Sequence, residues 1–190
     1  MTQLNPTMQI GADNPAEHQA ENQTHQLDLI DTLLKLNPAG STYRARHFRD
    51  NICHSTQASY DALFSNKLHL PLQTRWLVAL YAAQLTQSHE LTRHYLNEAE
   101  DAGVTEEALQ AVLQDDLDLI SEPTLRAILH FTRTLTLKPI EGDQSALLDL
   151  ESAGVATADC IALAQLIAFL SYQIRLVTGL KAMQALEDTQ

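Results

Sequence analysis

The stretch Trp76–Val112, WLVALYAAQLTQSHELTRHYLNEAEDAGVTEEALQAV, decides the fold. Apolar residues recur at helical spacing on both sides of Ser88, which predicts two consecutive helices with Ser88 placed to cap the second. Gly103 is placed as the left-handed residue that ends this second helix, and Thr105 as the N-cap of a third. The stretch therefore predicts a helical hairpin followed by a third helix.

The rest of the chain favours helices as well. Gly and Pro number only six each in 190 residues, and helix-forming residues dominate, so an all-α fold is predicted. Residues 26–190 are expected to form a single domain of about seven helices. One continuous helix is expected from about residue 42 to 64, and a long apolar helix from about 158 to 185, which would suit the centre of a bundle or an oligomer interface. Residues 1–25 are polar and lack apolar periodicity, so we expect a mobile N-terminal arm.

A short internal repeat supports this organisation. The segment EDAGVT at 100–105 recurs as ESAGVA at 151–156. In both copies a glycine is placed to end one helix, and the next helix begins shortly after it. Two helix-stop-helix units of similar design are therefore expected.

The composition argues against several kinds of partner. The formal net charge is −12, from 24 acidic and 12 basic residues. An acidic chain repels phosphate groups, so neither nucleic acid nor an anionic membrane surface is an expected partner. The densest basic cluster is formed by Arg44, Arg46 and Arg49. It could hold an anionic ligand or meet an acidic patch on a partner, although a solvated helix face is the simpler interpretation.

The chain has the pattern of a cytoplasmic protein. Its first residues lack a basic segment followed by an apolar one, which argues against a signal peptide. The most apolar run, Cys160–Val177, is interrupted by two glutamines and Arg175, so a buried core helix is predicted and a membrane span is not. We expect the two cysteines, Cys53 and Cys160, to be free, buried thiols.

The stretch Trp76–Val112 resembles the core of the carboxymuconolactone decarboxylase / alkylhydroperoxidase D-like family. The similarity extends over about residues 26–185, where the pattern resembles a subgroup of small proteins found in bacteria beside, or fused to, alkylhydroperoxidase-like proteins. It is carried further by the segments Asp28–Leu33, Gln57–Phe64, Pro71–Leu80, Leu125–Thr136 and Ile161–Phe169. The resemblance implies an alkylhydroperoxidase D-like helical bundle, self-association into a homo-oligomer, and an antioxidant, peroxidase-related ancestry.

The residues of the family's redox motif are missing here. In the redox members a Cys-x-x-Cys-x-x-x-His motif opens the second helix of this segment, with a glutamate upstream. An ungapped count puts Ser88, Leu91 and Tyr95 at the positions of the two cysteines and the histidine. Trp76 then falls at the position of the glutamate. The family's thiol chemistry is therefore expected to be absent, because a serine hydroxyl does not ionise at neutral pH and forms no disulfide.

A count shifted by one residue gives an alternative, with Gln87, Glu90 and His94 at the same positions. Glu90-Leu-Thr-Arg-His94 then resembles the Glu-Leu-x-x-His of the decarboxylase branch, which works without cysteines. The two residues are one helical turn apart, so the Glu90 carboxylate could orient the His94 imidazole as a general base. An exposed pair on the helix surface is the simpler interpretation. The sequence leaves open whether Ser88 or Gln87 occupies the first-cysteine position.

Other constellations do not indicate a site, and neither a metal nor a cofactor is expected. His89 and His94 are five residues apart, which turns their imidazoles to different sides of a helix. The chain has no Gly-x-Ser-x-Gly elbow to expose a nucleophilic serine. Cys53 lies next to His54, but neighbouring helical residues point about 100° apart, so a packed thiol is favoured over a reactive one.

Three functions are compatible with these observations. The first is an accessory or divergent family member with no Cys-x-x-Cys-type peroxidase activity of its own, acting beside a Cys-x-x-Cys-bearing alkylhydroperoxidase-like partner. The second is a non-redox decarboxylase- or isomerase-type enzyme that uses His94 with Glu90. The third is a thiol-dependent antioxidant enzyme that uses Cys53.

Overall fold

Helices account for nearly all of the regular structure. The computed structural model describes residues 28–187 and 189, and the arm predicted at residues 1–25 lies outside them. Nine α-helices lie in the described part of the chain, which confirms the all-α prediction, and two of the nine are only six residues long. In chain order they are α1 (Leu29–Leu34), α2 (Ser41–Arg46), α3 (Asp50–Leu63), α4 (Leu72–Leu85), α5 (His89–Asp101), α6 (Glu106–Leu113), α7 (Pro123–Leu137), α8 (Gln144–Ser152) and α9 (Thr157–Glu187).

Helix α4 lies at the centre of the bundle. Every residue from Arg75 to Ala83 is buried, as expected of a helix surrounded by others. Helices α5, α6, α7 and α9 all pack against it. Each large aliphatic side chain buried here stabilises the fold by about 1.5–3 kcal/mol. Helix α4 is therefore the element against which the others are positioned.

A buried arginine fixes the connection between α3 and α4. Arg75 is 1% exposed and donates hydrogen bonds to the main-chain carbonyls of Leu63, Ser65 and Leu70. The last carbonyls of a helix have no partner within the helix. The planar guanidinium, with its five donors, satisfies all three carbonyls at once. This connection sets the end of α3 against the start of α4.

A tight turn joins α4 to α5. Gln87 has a left-handed backbone, with φ 56°, and the Ser88 amide donates to the Ala83 carbonyl at 3.0 Å. Ser88 is the N-cap residue of α5, but its hydroxyl makes no capping hydrogen bond. Ser88 therefore occupies the N-cap position as predicted, but its side chain does not make the expected capping hydrogen bond. Helices α4 and α5 pack side by side as the predicted hairpin.

Helices α5 and α8 end in the same way. Gly103 and Gly154 both have left-handed backbones, with φ of 78° and 87°, where a Cβ would cost energy. The amide of the valine after each glycine bonds to the carbonyl five residues earlier, at 3.0 and 3.1 Å. This is the Schellman pattern, so the sequence repeat corresponds to two equivalent helix ends. Thr105 caps α6 as predicted, because its side chain accepts from the Ala108 amide.

The helix predicted over residues 42–64 is broken in two. Helix α2 ends at Arg46, and α3 follows after a 3-10 turn. Arg49 has a non-helical backbone (φ −129°, ψ 81°). The break accompanies ion pairs from the Arg46 side chain to the carboxylates of Asp28 and Asp31. These contacts are remote in sequence, which explains why apolar periodicity did not reveal the break.

Helix α9 runs over 31 residues, and one of its faces is buried in the bundle. By length and composition alone it is the one helix of the described residues that could cross a membrane. The core helix of a soluble protein meets the same criterion, which is therefore weak evidence. Only 39% of its most apolar 18-residue window is buried in the bundle. Most of that window is therefore not buried in the bundle, and its exposed residues include Gln165 and Arg175.

Candidate functional site

The two alignments of the family motif place different residues at the start of α5. Ser88, Leu91 and Tyr95, from the ungapped count, are all buried on the inner face of this helix. Gln87, from the shifted count, is exposed and precedes the helix. The inner face of α5 therefore carries a hydroxyl, an aliphatic side chain and a phenol, and no thiol.

An aromatic cluster closes this inner face. Phe64 of α3 stacks on Trp76 of α4, with ring centroids 3.8 Å apart and planes inclined by 6°. Tyr95 lies beside both rings, at centroid distances of 5.8 and 6.1 Å. Each aromatic pair of this kind contributes about 0.5–1.5 kcal/mol beyond burial. Trp76, at the position of the family's glutamate, thus fills the space with an apolar ring.

A buried hydrogen bond ties α5 to α9. The Tyr95 hydroxyl donates to the side-chain oxygen of Gln173, which is 1% exposed. Burial raises the pKa of Tyr95 well above its usual 10.0, so the phenol keeps its proton and acts as the donor. Tyr95 is therefore a structural link between two helices.

His94 lies at the edge of the cluster. Its Nε2 is 2.8 Å from the Tyr60 hydroxyl, and its side chain is 12% exposed. Burial lowers the pKa of His94 to about 4. Burial also raises the pKa of Tyr60, with additional contributions from the charges of Glu98 and Asp61. At neutral pH the pair is a neutral imidazole hydrogen-bonded to a protonated phenol.

Glu90 is directed away from this pair. Its carboxylate binds the Lys181 ammonium at 2.7 Å, and this hydrogen bond is the largest cause of a lowered pKa at Glu90. The carboxylate that approaches His94 belongs to Glu98, whose Oε1 is 3.9 Å from Nδ1, too far for a hydrogen bond. The two candidate residues from the sequence are therefore held by different partners, His94 by Tyr60 and Glu90 by Lys181.

Both cysteines are free and buried. The Cys53 thiol donates to the Arg46 carbonyl at 3.5 Å, and the Cys160 thiol to the Val155 carbonyl at 3.9 Å. Burial raises the pKa of each thiol, so little thiolate is present at neutral pH. Neither side chain has the exposed, electropositive surroundings of a reactive cysteine.

The basic cluster considered as an anion site is largely satisfied by the chain itself. Arg46 is buried and binds Asp28 at 2.6 Å and Asp31 at 2.7 Å. Arg44 donates to the Ala39 carbonyl at 3.0 Å. An external anion could engage Arg46 only by displacing two ion pairs, so the cluster does not form an anion site in this structure.

The start of α5 is a packed surface. Across residues 28–187, no group of three or more His, Cys, Asp or Glu side chains is arranged to hold a metal ion. The two best-defined cavities lie elsewhere: one of about 330 Å³ sits between the α1–α2 connection and the end of α9, and one of about 320 Å³ lies near the starts of α4, α7 and α9. His94 and Ser88 line neither cavity.

Two hydrogen-bond partners in this region, Tyr60 and Gln173, were not identified from the sequence. Tyr60 is 34 positions from His94, and Gln173 is 78 positions from Tyr95. A tyrosine on an amphipathic helix is usually a core residue, so the sequence around Tyr60 did not indicate a hydrogen bond to His94. Gln173 could have been recognised, since a polar side chain inside an apolar helix needs a buried hydrogen-bond partner.

Comparison with known proteins agrees with this architecture. Residues 55–134 match the model of the carboxymuconolactone decarboxylase family. Among solved structures, the chain is similar to an uncharacterized peroxidase-related protein from Silicibacter sp. TM1040, with 14% identity over 88% of this chain and 84% of that one and a TM-score of 0.67. It is also similar to the debrominase Bmp8 in complex with 2,3,4-tribromopyrrole, with 15% identity over 80% and 79% of the two chains and a TM-score of 0.61. None of the curated proteins matches the chain.

The chain therefore shares the helical fold of this peroxidase-related protein. The match of residues 55–134 to the carboxymuconolactone decarboxylase family model includes the stretch Trp76–Val112 and confirms the resemblance first drawn from it. At 14% and 15% identity the solved structures establish the fold alone, because function resides in the site and not in the fold.

Proposed function

We propose that this chain is a divergent member of its family that has no Cys-x-x-Cys-type peroxidase chemistry of its own and serves as an accessory subunit. The observation that carries the proposal is the inner face of α5, where Ser88, Leu91 and Tyr95 stand buried at the ungapped motif positions. A hydroxyl and an aliphatic side chain cannot exchange disulfides with a peroxide-oxidised partner. The partners in this proposal are further copies of the chain and a Cys-x-x-Cys-bearing alkylhydroperoxidase-like protein, in the cytoplasm.

The two remaining thiols support the same conclusion. Cys53 and Cys160 lie on different helices, both buried, with the pKa of each raised by burial. A peroxide-reducing thiol needs a thiolate, access to the oxidant and a resolving partner. These two side chains meet none of the three conditions.

Peroxide turnover tests the proposal directly. Hydrogen peroxide and cumene hydroperoxide would be supplied with dithiothreitol to the wild-type chain, to Cys53→Ser and to Cys160→Ser. We expect the wild type to consume peroxide no faster than either variant and no faster than dithiothreitol alone. Turnover that disappears in Cys53→Ser would instead establish the thiol-dependent alternative.

The accessory role needs its own experiment. The chain would be mixed with a Cys-x-x-Cys-bearing alkylhydroperoxidase-like protein and examined by size-exclusion chromatography with light scattering. We expect a complex and a change in the partner's peroxide turnover. Separate elution at micromolar concentrations, with unchanged turnover, would remove the accessory role and leave a divergent protein of other function.

A non-redox acid–base enzyme is the second candidate, and the contact between Tyr60 and His94 favours it. In the tautomer whose Nε2–H donates to the Tyr60 oxygen at 2.8 Å, the Tyr60 hydroxyl can donate to the developing oxyanion of a substrate. The imidazole is neutral at physiological pH because burial lowers its pKa to about 4. Glu90, bound to Lys181, takes no part in this hydrogen bond.

Decarboxylation of carboxymuconolactone, followed by ultraviolet absorbance, tests this candidate. If it holds, His94→Gln and Tyr60→Phe lower the rate by at least about 100-fold, while the control Glu90→Gln changes it by less than about threefold. If the wild-type protein does not decarboxylate the lactone, this compound is not its substrate.

A further inference from the structure

The cavity between the α1–α2 connection and the end of α9 has a volume of about 330 Å³. Lys35, Leu36 and Asn37 line it from the α1–α2 connection, and Gln184 and Glu187 line it from α9. Sites for small molecules have volumes of about 300–1,000 Å³. This cavity is therefore large enough for a small metabolite, and the groups around it determine which kind.

Lys35 has a backbone conformation that lysine rarely adopts. It follows α1 with φ 49°, in the left-handed region where glycine costs less energy. Asp115 has a similar backbone, and its carboxylate binds Tyr81 and Arg133. The Lys35 ammonium, in contrast, has no partner among the described residues. Because unusual backbone of this kind is concentrated at functional sites, the free ammonium indicates an external anionic group.

Two amide side chains present complementary groups at this cavity. The Asn37 Oδ1 accepts from the Ala39 amide at 3.0 Å, which leaves the NH₂ group of Asn37 free to donate. The Gln184 Nε2 donates to the Leu34 carbonyl at 3.2 Å, which leaves the oxygen of Gln184 free to accept. Each amide is thus held in one orientation by the chain itself, and one of its two polar groups remains available.

Glu187 provides a fixed negative charge on the α9 side. Its carboxylate accepts from the Ser41 and Thr42 amides at 2.6 and 3.1 Å and from the Thr42 hydroxyl at 2.8 Å. A Cβ at Gly40 would lie 2.7 Å from its Oε1, so the glycine makes room for the carboxylate. The α1–α2 side of the cavity therefore carries a cation and a donor, whereas the α9 side carries an anion and an acceptor.

We propose that this cavity binds a free α-amino acid with an apolar side chain. The carboxylate of the zwitterion accepts from the Lys35 ammonium and the Asn37 amide group. Its ammonium donates to the Gln184 oxygen and is attracted by the charge of Glu187. The inference goes beyond the proposed function, because it assigns a ligand to a cavity outside the inner face of α5.

Two further residues explain the apolar side chain of the ligand. Leu36 and Tyr43 also line the cavity. The Tyr43 ring stacks on the imidazole of His47, with ring centroids 4.1 Å apart, so its position is fixed. An aliphatic side chain packed against Leu36 and the Tyr43 ring would be removed from water, which favours binding.

Ligands with only one of the two charges fit the cavity less well. A simple carboxylate or phosphate is repelled by Glu187 and gives the Gln184 oxygen no donor. A simple amine is repelled by Lys35 and gives the Asn37 amide group no acceptor. A zwitterion satisfies both sides at once.

Isothermal titration of the full chain tests the proposal with three probes of one carbon skeleton. L-leucine carries both charges, 4-methylpentanoate lacks the ammonium, and 3-methylbutylamine lacks the carboxylate. We expect a dissociation constant below about 1 mM for L-leucine and values at least about tenfold higher for either analogue. The absence of binding with L-leucine at about 20 mM, or equal affinity for L-leucine and an analogue, would overturn the proposal.

A change at Lys35 tests whether this residue holds the carboxylate. Lys35→Gln removes the charge and keeps a Cβ on the same backbone, so the folded state should be retained, as urea unfolding can verify. We expect its dissociation constant for L-leucine to rise at least about tenfold and Lys35→Arg to recover most of the affinity. The control Lys67→Gln changes another exposed lysine and should alter the constant by less than about twofold. Unchanged affinity in Lys35→Gln would reject the site.

Amide chemical shifts measured by NMR locate the bound probe. L-leucine should shift the amide signals of Leu36, Asn37, Thr42 and Gln184, and changes confined to other helices would reject the site. The readout is ligand binding, whereas the proposed function is read as peroxide turnover, so either can fail alone.

Discussion

The imidazole of His94 is kept neutral by its burial. Its pKa is lowered from 6.5 to about 4 in the folded chain and regains its usual value on unfolding. Between these two values the unfolded chain binds a proton that the folded chain does not. The contribution of His94 to stability is therefore fully present above pH 6.5 and is lost as the pH falls toward 4.

Replacing His94 with glutamine should flatten the acid side of the stability profile. At pH 4.5 the wild type is expected to have lost roughly 2.5 kcal/mol through this residue, relative to pH 7.5. Urea unfolding at the two pH values, followed by circular dichroism, measures the difference. His130→Gln, an exposed change on α7, should keep the wild-type profile. Parallel profiles for His94→Gln and the wild type would contradict the burial argument.

At the scale of one element, cysteines introduced into the first turn of α5 test which positions correspond to the family's thiol motif. In a background with Cys53→Ser and Cys160→Ser, Ser88→Cys with Leu91→Cys puts two thiols about 5–6 Å apart at a helix N-terminus. We expect an intramolecular disulfide on oxidation and peroxide consumption with dithiothreitol, both followed by free-thiol assay. This pair occupies the inner face, next to the cluster of Phe64 and Trp76.

The shifted pair provides the matched comparison. Gln87→Cys with Glu90→Cys has the same spacing. Gln87, however, is exposed and has a left-handed backbone before the helix begins. The change at Glu90 also removes its ion pair with Lys181. We expect this pair to consume peroxide at least about tenfold more slowly. Equal rates for the two pairs would mean that the inner face does not define the motif positions.

The start of α2 depends on the end of α9. Gly40, the N-cap residue of α2, has no side chain, and the Glu187 carboxylate takes its place by accepting from the Ser41 and Thr42 amides at 2.6 and 3.1 Å. The Thr42 hydroxyl also donates to it, at 2.8 Å. These hydrogen bonds, led by the one from the Thr42 hydroxyl, lower the pKa of Glu187. The contact closes the N-terminal part of the fold onto its last helix.

Glu187→Gln should therefore loosen α2 and leave the core intact. We expect faster amide exchange at Ser41 and Thr42, because a neutral amide is a weaker acceptor at a helix N-terminus. In the wild type the same amides should lose protection as the pH falls through the lowered pKa of Glu187. Hydrogen exchange measured by NMR resolves both effects. Glu107→Gln, on α6, is the control, and unchanged exchange in Glu187→Gln would refute the cap.

Over the whole molecule, local sequence patterns predicted the helices, whereas contacts between residues far apart in the sequence were not predicted. The apolar face of α4 and the glycine at Gly103 are local signals, and the hairpin follows from them. The break after Arg46 comes from carboxylates fifteen and eighteen positions away. The bond between Tyr60 and His94 likewise joins residues that only the folded chain brings together. A single sequence therefore specified the fold well and the candidate site in part.

The state of both thiols is a property of the whole fold. Cys53 and Cys160 are 4% and 7% exposed, so the native chain should react slowly with Ellman's reagent at pH 8 and release two equivalents after unfolding in guanidinium chloride. Cys53→Ser should release one equivalent on unfolding. A native thiol that reacts as fast as free cysteine would show that one of these regions opens readily.

The hydrogen bond between Tyr95 and Gln173 limits which residue α5 can accept at position 95. A histidine at position 95 would be shorter than the phenol and would leave the buried Gln173 amide without its donor, at a cost of about 1–3 kcal/mol. Cysteines at positions 88 and 91 leave this hydrogen bond in place, so only the histidine of the motif carries that cost. Introducing the complete motif therefore needs coordinated substitutions on two helices, one at position 95 on α5 and one at Gln173 on α9.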